Sequence, residues 1–355
     1  MFINELRSLI KTGSDAVLIY SEVNRRYFTE FPSSDGYLVV TADDAVFFTD
    51  SRYIEAAALA VKDCRTALLR RVSEEIKAYL ASKNIGRVLT ERERLTVAEL
   101  AGLKKALPDC RIVPSQALEN RIYELRNIKT QYEIDCINKA QSIAEAAFEH
   151  ILGFIKPGVT EREIGLELDF YMLSHGAEAL SFETIAITGE KTSMPHGVPG
   201  NVKVRKGDFI TMDYGAVYNG YHSDMTRTVA VGEITAEQKK VYETVLNAQN
   251  ACLGMLKAGI TGKQGDAAAR DIIAAAGYGD YFGHSTGHGV GVEIHEKPNL
   301  VPSAKLVKLK PGNIVTVEPG IYLPGKFGVR IEDMALITET GCVNLTHTPK
   351  ELIIL

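Results

Sequence analysis

Residues Lys206–Thr226, KGDFITMDYGAVYNGYHSDMT, predict two strands joined by a tight turn. The turn is the Asn-Gly pair at 219–220, which favours a type I′ hairpin because both central residues need positive φ. Counting back from this turn places Asp213 opposite Thr226. Asp224 then follows one step along the same face, so the two carboxylates become diagonal neighbours about 7–8 Å apart at the backbone. Like charges this close repel unless a cation lies between them. The hairpin therefore predicts half of a metal site, with Thr226 as hydrogen-bond support for Asp213.

An internal repeat in the second part of the chain predicts where the other half of this site lies. The pattern Leu-Gly-x-x-Lys-x-Gly-x-Thr occurs at 152–160 and again at 253–261. The strand pattern GDFITMDYG at 207–215 is matched by GNIVTVEPG at 312–320. Each half is therefore predicted to contain two helices followed by a hairpin that carries acids in equivalent positions.

The second hairpin is predicted to run from Ile314–Glu318 to Val329–Leu336, and it carries Glu318 and Glu332 in the places of the two aspartates. Between the hairpins, the segment FGHSTGHGVGVEIHE contributes the glycine-flanked His288. Four carboxylates and one imidazole form an oxygen-rich set that suits Mn²⁺, Co²⁺ or Fe²⁺ better than a structural zinc. Two acids on each hairpin are enough to bridge two ions about 3.5–4 Å apart, the spacing that activates a shared water.

The fold class predicted from the whole pattern is α/β (α+β) in two domains. The 355 residues, 45% hydrophobic and 24% charged, are ordinary for a globular protein of that size. A small α/β amino-terminal domain is predicted over 1–122, and a catalytic domain with an internal pseudo-two-fold repeat over 123–355. Apolar periodicity predicts helices at 2–12, 54–61, 74–82, 97–107 and 127–155. It predicts strands in the first domain at 16–20, 37–41, 45–49, 87–90 and 111–113.

Composition excludes several classes of partner. The net charge of −5 and the pI near 6.0 argue against binding to nucleic acid or to an anionic membrane. The amino-terminal stretch MFINELRSLIKTGSD places charges inside its apolar run, so no signal peptide and no membrane span are predicted. The five cysteines are scattered and show no disulfide or zinc-site spacing, which predicts a cytoplasmic protein.

The motifs MDYG, HSDMTRT, STGHGVG, VEPG and RIED together resemble the ligand pattern of the M24 "pita-bread" metallopeptidases, which include aminopeptidase P and prolidase. The resemblance covers nearly the whole chain, and the first domain is similar to the creatinase/prolidase amino-terminal domain, with weaker motifs. It implies two divalent ions, Mn²⁺ or Co²⁺, with Fe²⁺ or Zn²⁺ as alternatives. The metal ligands that it implies are Asp213, Asp224, His288, Glu318 and Glu332.

The same resemblance implies roles for further residues around the ions. Glu318, a ligand that also faces the water, is the candidate general base. His295 would polarise the tetrahedral oxyanion or donate a proton to the leaving nitrogen. His196 and His284 would line the substrate pocket. Arg330 lies two residues before the last ligand on the same strand face, and we predict that it pairs with a ligand carboxylate.

The resemblance implies hydrolysis of Xaa-Pro bonds in proline-containing peptides by a homodimer. Asn299 departs from the prolidase pattern, because prolidases commonly carry an arginine there that grips the free carboxylate of a dipeptide. This leaves aminopeptidase P-like action on longer peptides open. Two alternatives remain: a metal-free creatinase-like C–N hydrolase and a non-catalytic binding module. The intact ligand set speaks against both.

Overall fold

The structure, a computed structural model, describes residues 2–355. The chain divides into two compact units, of which the first ends at Arg126 and the second is Asn127–Leu355. The predicted boundary after residue 122 therefore falls inside a helix, Gln116–Asn127, rather than in a linker.

The first unit is a mixed sheet with helices. Its helices are α1 (Ile3–Arg7), α2 (Glu22–Thr29), α3 (Ile54–Ala60), α4 (Lys77–Ser82), α5 (Val97–Ala106) and α6 (Gln116–Asn127). Its strands are β1 (Asp15–Ile19), β2 (Tyr37–Val40), β3 (Ala45–Thr49), β4 (Arg65–Leu68), β5 (Arg87–Thr90) and β6 (Arg111–Pro114). They lie in the order β4-β3-β2-β1-β5-β6, with β1 antiparallel to β2 and parallel to β5. Leu18 and Val39 from the central strands are buried in its apolar core.

Three elements of this unit, α2, β4 and α6, were not predicted from the sequence. The first helix is also shorter than the predicted range of 2–12, since α1 ends at Arg7. Beyond it, the Asp15 carboxylate accepts hydrogen bonds from the backbone N–H groups of Lys11 and Thr12, each at 3.3 Å. These bonds turn the chain into β1 instead of continuing the helix.

The second unit contains four long helices and several small sheets. Its helices are α7 (Gln131–Phe154), α8 (Glu161–Ser174), α9 (Ala236–Met255) and α10 (Gly262–Ala275). Its strands in the first half are β7 (Ala179–Leu180), β8 (Ile185–Thr188), β9 (Phe209–Tyr214), β10 (Ala216–Tyr218), β11 (Tyr221–His222) and β12 (Met225–Ala230). Those in the second half are β13 (Gly287–Gly289), β14 (Glu296–Leu300), β15 (Ile314–Val317), β16 (Gly320–Leu323), β17 (Phe327–Arg330), β18 (Asp333–Ile337) and β19 (Cys342–Asn344). The sheet orders are β12-β9-β8, β11-β10-β7, β14-β13-β15-β18-β19 and β16-β17.

Each of the four helices begins with a threonine capping box, in which the N-cap hydroxyl and the N3 side chain satisfy each other's backbone N–H groups. The N-cap residues are Thr130, Thr160, Thr235 and Thr261. The prediction of a helix from residue 127 is wrong at its start, because the capping box begins α7 at Gln131. Since both halves carry the same two caps, the helices follow the repeat seen in the sequence.

The first hairpin has the predicted register, with Asp213 opposite Thr226 where β9 pairs with β12. Asn219 and Gly220 have φ of 48° and 82°, which the type I′ turn requires. The hairpin is not continuous, however. Gly215 separates β9 from β10. A Cβ there would lie 2.0 Å from the backbone oxygen of Ser223, so the segment between β11 and β12 passes too closely for any larger residue at position 215.

The second hairpin is broken at the equivalent place. The stretch predicted as one strand, Val329–Leu336, is two strands, β17 and β18. The strand β15 pairs with β18, and β16 pairs with β17. Ile331 and Glu332 lie in the gap, as Ser223 and Asp224 do in the first hairpin. The gaps release Asp224 and Glu332 from the regular alternation of a strand, so that their side chains turn towards one point.

The helices of each half contribute to a different apolar core, and the core of the second half also contains Phe209 and Ala230 of the first hairpin. The two hairpins join directly, since the Glu332 backbone N–H donates to the Thr226 oxygen at 3.1 Å and the Thr228 hydroxyl donates to the Arg330 oxygen at 2.9 Å. The acids of both halves therefore meet between the two cores. Within residues 2–355, no helix is both long enough and apolar enough to cross a lipid bilayer.

Candidate metal centre

Three of the five predicted ligands bring their donor atoms together. One donor atom from each of Asp224, His288 and Glu332 lies within 4.8 Å of the others, and all three side chains are largely buried. Glu318 adjoins them, with its Oε1 3.5 Å from His288 Nε2. Donor atoms this close to one another could hold a metal ion.

His288 is oriented as a metal-binding imidazole would be. Its Nδ1 lies 3.0 Å from the Gly289 carbonyl oxygen, a bond in which Nδ1 carries the proton. The lone pair of Nε2 then points at Asp224 Oδ2 and Glu318 Oε1, both 3.5 Å away. Burial lowers the pKa of His288 to about 4, so the ring is neutral at neutral pH. A lone pair facing carboxylates is unfavourable by itself, and a cation between them removes the conflict.

The fifth predicted ligand, Asp213, is fixed on one side only. Its Oδ2 accepts a 2.6 Å hydrogen bond from Arg330 Nη2, so the arginine does pair with a carboxylate of the set. Its Oδ1 is buried and has no hydrogen-bond partner among residues 2–355. An orphaned carboxylate oxygen on a residue that lines the same cavity as the other donors fits a metal ligand, because a buried oxygen without a partner is costly.

Thr226 supports a different acid from the one expected. The sequence predicted a hydrogen bond to Asp213, directly opposite in the hairpin. The Thr226 hydroxyl instead donates to Glu332 Oε2 at 2.7 Å, and it accepts from Arg330 Nε at 3.0 Å. Strand register alone could not show this, because the partner comes from the second hairpin, where it crosses the first.

The electrostatics of the cluster favour a bound cation. Burial raises the pKa of Asp224 and of Glu332 well above the ordinary range, and the neighbouring carboxylates raise both further. Burial likewise raises the pKa of Glu318 to about 8. Each buried acid thus resists ionisation, although the charge of Arg330 partly offsets this for Asp224 and Glu318. A divalent ion would reverse this preference and keep the carboxylates ionised.

The predicted histidines line one cavity together with the acids. The cavity has a volume of about 530 Å³, in the range of small-ligand sites. Its walls include all the proposed ligands, Asn299, Arg330 and the three remaining predicted histidines, His196, His284 and His295. The His295 ring stands edge-on to the His288 ring, with centroids 4.4 Å apart. Burial lowers the pKa of His284 to about 4, so this ring is also neutral near pH 7.

Tyr322 belongs to the same network and was not predicted from the sequence. Its hydroxyl accepts a 2.8 Å hydrogen bond from Arg330 Nη1 and lies 2.9 Å from His284 Nε2. Burial raises the pKa of Tyr322 to about 12, so the phenol keeps its proton. The repeat gave no signal for it, because Val217 occupies the equivalent position of the first half.

Comparison with known proteins agrees with the two-domain pattern. The profile described as "Metallopeptidase family M24" matches residues 135–339. The profile described as "Creatinase/Prolidase N-terminal domain" matches residues 3–128. A Bacillus subtilis (strain 168) protein named "Uncharacterized peptidase YqhT" is 44% identical over 361 residues, which cover 100% of both chains.

Solved structures share the fold over the whole length of the chain. The structure titled "Xaa-Pro dipeptidase from Bacillus anthracis" has a TM-score of 0.94 and 42% identity, and 99% of each chain is covered. An "X-Pro aminopeptidase from Thermotoga maritima MSB8" has a TM-score of 0.92 and 34% identity, again with 99% of each chain covered. The resemblance and the fold class predicted from the sequence are confirmed, including the creatinase/prolidase-like first domain.

Proposed function

The chain belongs to metallopeptidase family M24, and from this premise we propose that it hydrolyses the Xaa-Pro bond at the amino terminus of peptides or dipeptides. Similar proteins carry the names Xaa-Pro dipeptidase and X-Pro aminopeptidase, which supports this substrate class. The observation that carries the proposal is the convergence of Asp224, His288 and Glu332 at the base of a cavity large enough for a short peptide.

We propose that two divalent ions, Mn²⁺ or Co²⁺, are held by Asp213, Asp224, His288, Glu318 and Glu332. The orphaned Asp213 Oδ1 and the Nε2 lone pair of His288 support this set. When bound, the ions would act as Lewis acids that make water available as a nucleophile near neutral pH.

The other groups of the cavity supply binding and proton transfer. We propose that Glu318 accepts the proton of the attacking water, and its position on the cavity wall beside His288 supports this role. The C–N bond then breaks and the nitrogen of proline leaves as a secondary amine, which needs a proton. We propose that His295, which lines the cavity, stabilises the oxyanion or delivers that proton. His196 and His284 also line the cavity, and we propose that they bind the substrate.

The charges of the cavity favour peptides that continue beyond proline. Of the lining residues within 2–355, Arg330 alone is a lysine or arginine, and its guanidinium is committed to Asp213 and Tyr322. A dipeptide would bring a free carboxylate with no permanent cation to meet it. A longer peptide brings a neutral amide instead, which Asn299 can match with its own amide.

Asn299→Arg should shift the preference of the enzyme towards dipeptides. A hydrogen bond to a charged group is worth about 1.5–3 kcal/mol, so we expect kcat/KM for Xaa-Pro relative to Xaa-Pro-Yaa to rise by about tenfold or more. Steady-state kinetics on matched substrate pairs measure the ratio. Asn299→Gln is the control, because it changes length without adding charge, and it should leave the ratio near the parent value. An unchanged ratio in Asn299→Arg would show that position 299 does not read the carboxylate.

A cleavage panel tests the proposed activity. Full-length protein reconstituted with Mn²⁺ or Co²⁺ is incubated with Xaa-Pro dipeptides, Xaa-Pro-Yaa peptides and matched Xaa-Ala-Yaa peptides. Release of the first residue from the proline substrates only is the expected result, and no release from either proline set would refute the proposal. Activity that survives exhaustive chelation would favour the metal-free C–N hydrolase. Less than one equivalent of metal after reconstitution would favour the binding module.

We also propose that the protein is a cytoplasmic homodimer. Its five cysteines are free thiols, as is usual in a reducing compartment. The dimer rests on the family resemblance, and light scattering of the purified protein tests it.

A further inference from the structure

Two histidines of the cavity lie on loops, and each loop is tied to a buried carboxylate on the second helix of its own half. We propose that Glu161 on α8 and Asp266 on α10 each anchor a hydrogen-bonded ion pair, here called a clasp, that holds a loop. The two clasps position His196 and His284, respectively, for substrate binding. The inference rests on the proposed function, since it concerns how that site is held. Neither anchor lines the cavity or belongs to the proposed ligand set.

The clasp on α10 consists of Asp266, which is 2% exposed, and Arg270. The pair is bidentate, with Nε and Nη2 of the arginine each 2.8 Å from an oxygen of Asp266. The remaining donors of Arg270 reach backbone oxygens of the loop, at 2.9 Å for Phe282 and 2.7 Å for His284. The guanidinium therefore binds the backbone carbonyl of His284 itself.

The same carboxylate holds the far end of this loop. Asp266 Oδ1 accepts hydrogen bonds from the Thr286 hydroxyl at 2.8 Å and from its backbone N–H at 3.3 Å. The Thr286 oxygen in turn accepts the Glu318 backbone N–H at 2.8 Å. One ion pair thus fixes residues 282–286 on both sides of His284, and the loop it fixes contacts the backbone of the proposed general base.

The clasp on α8 performs the same task with different residues. Glu161 is fully buried, and it accepts hydrogen bonds from the backbone N–H of Thr188 and of Gly200, both at 2.9 Å. These two residues are the ends of the segment that carries His196. Lys191 Nζ donates to Glu161 Oε2 at 2.7 Å and to the Val198 oxygen at 2.6 Å. A carboxylate and a cation again close a loop around a histidine of the cavity.

The pseudo-symmetry separates this arrangement from ordinary buried ion pairs. The helices α8 and α10 are equivalent in the repeat, yet Glu161 and Asp266 occupy different positions along them, at the first and the fifth residue. The residues are not copies of each other, but the contacts are alike. Glu161 binds the backbone at both ends of its histidine loop, and Asp266 binds one end of its loop directly and the other through Arg270. Misplacing a substrate-binding group by about 1 Å can cost about 10²-fold in rate, which is reason enough to fix such loops.

The test is a pair of crossed double-mutant cycles on the metal-loaded, full-length enzyme. Asp266→Asn and Glu161→Gln keep the shape of each anchor and remove its charge, and we expect each to lower kcat/KM for Xaa-Pro-Yaa by about tenfold or more with metal content unchanged. In a His284→Ala background most of the effect of Asp266→Asn should disappear, while that of Glu161→Gln persists. In a His196→Ala background the pattern should reverse. Glu237→Gln, which breaks the exposed pair with Lys326, is the control and should change nothing.

A general loss of stability cannot produce this crossover, because it would act equally in both backgrounds. Additive effects, or equal coupling of both anchors to both histidines, would overturn the proposal. If Asp266→Asn does not fold, Arg270→Lys takes its place in the cycle. If Glu161→Gln does not fold, Lys191→Met takes its place. Histidine ring NMR signals give a readout independent of turnover: Asp266→Asn should move only the His284 signals and Glu161→Gln only those of His196. A parent that cleaves no peptide refutes the proposed function, whereas unmoved signals refute the clasps.

Discussion

Glu332→Gln should lower kcat/KM by about 10³-fold or more, because metal activation supplies several kcal/mol of transition-state stabilisation. The substitution removes one donor from the Asp224–His288–Glu332 cluster and keeps the shape of the side chain. The Thr226 hydroxyl, which donates to Glu332 Oε2, still finds an amide oxygen to bind. The loss should therefore come from the missing charge, and metal analysis of the purified variant should show fewer than two equivalents.

The same variant should be more stable than its parent when both are free of metal. Burial raises the pKa of Glu332 above its unfolded value of about 4.3, so its ionisation favours the unfolded chain. This penalty is absent below the unfolded pKa and grows as pH rises towards the folded value. After chelation, the melting temperature of the variant should therefore exceed that of the parent, and the difference should be larger at pH 8 than at pH 5.

Glu339→Gln is the matched control, since this exposed acid follows β18 on the same stretch of chain. It should leave activity, metal content and both melts unchanged. A Glu332→Gln variant that keeps two equivalents of metal and the parental rate would remove Glu332 from the site. One that loses activity but melts lower than the metal-free parent at every pH would contradict the electrostatic account.

The acids of the site could be predicted because the signal is local and occurs twice. Asp213 and Glu318 each stand two residues before a glycine, and the repeat relates these two acids to each other and Asp224 to Glu332. The supporting contacts could not be predicted in the same way. They run between the hairpins, as in the Thr226–Glu332 hydrogen bond, and depend on how the two interrupted hairpins pack against each other.

The fold shows the same division between local and distant information. The four helices of the second unit begin at capping boxes that can be found in the sequence. Helix α2 has no such signal, because its cap comes from far along the chain. Glu91 accepts hydrogen bonds from the backbone N–H groups of Tyr20 and Ser21 and from the Asn24 amide. A helix start stabilised by a carboxylate about 70 residues away cannot be seen in a local window.

His295→Gln should lower kcat by about 10²–10³-fold while both metal equivalents stay bound, which lies within the range expected for loss of a positioned general acid. The imidazole of His295 lines the cavity and stands edge-on to His288 at 4.4 Å, so it is near the proposed ions without belonging to the donor cluster. A glutamine amide can still donate a hydrogen bond, but it cannot deliver a proton to the leaving nitrogen. Presteady-state and steady-state kinetics on Xaa-Pro-Yaa give kcat and KM separately.

Substrates with different leaving groups distinguish the two proposed roles of His295, proton donor and oxyanion donor. Proline nitrogen leaves as a basic secondary amine, and a substrate with a better leaving group needs less protonation. A donor of protons should therefore matter less for an activated anilide than for a peptide, whereas an oxyanion donor should matter equally for both. His347→Gln, which changes an exposed histidine outside the cavity, is the control. Loss of metal from His295→Gln would instead make this residue part of the ion-binding set, and an unchanged kcat would remove it from the reaction.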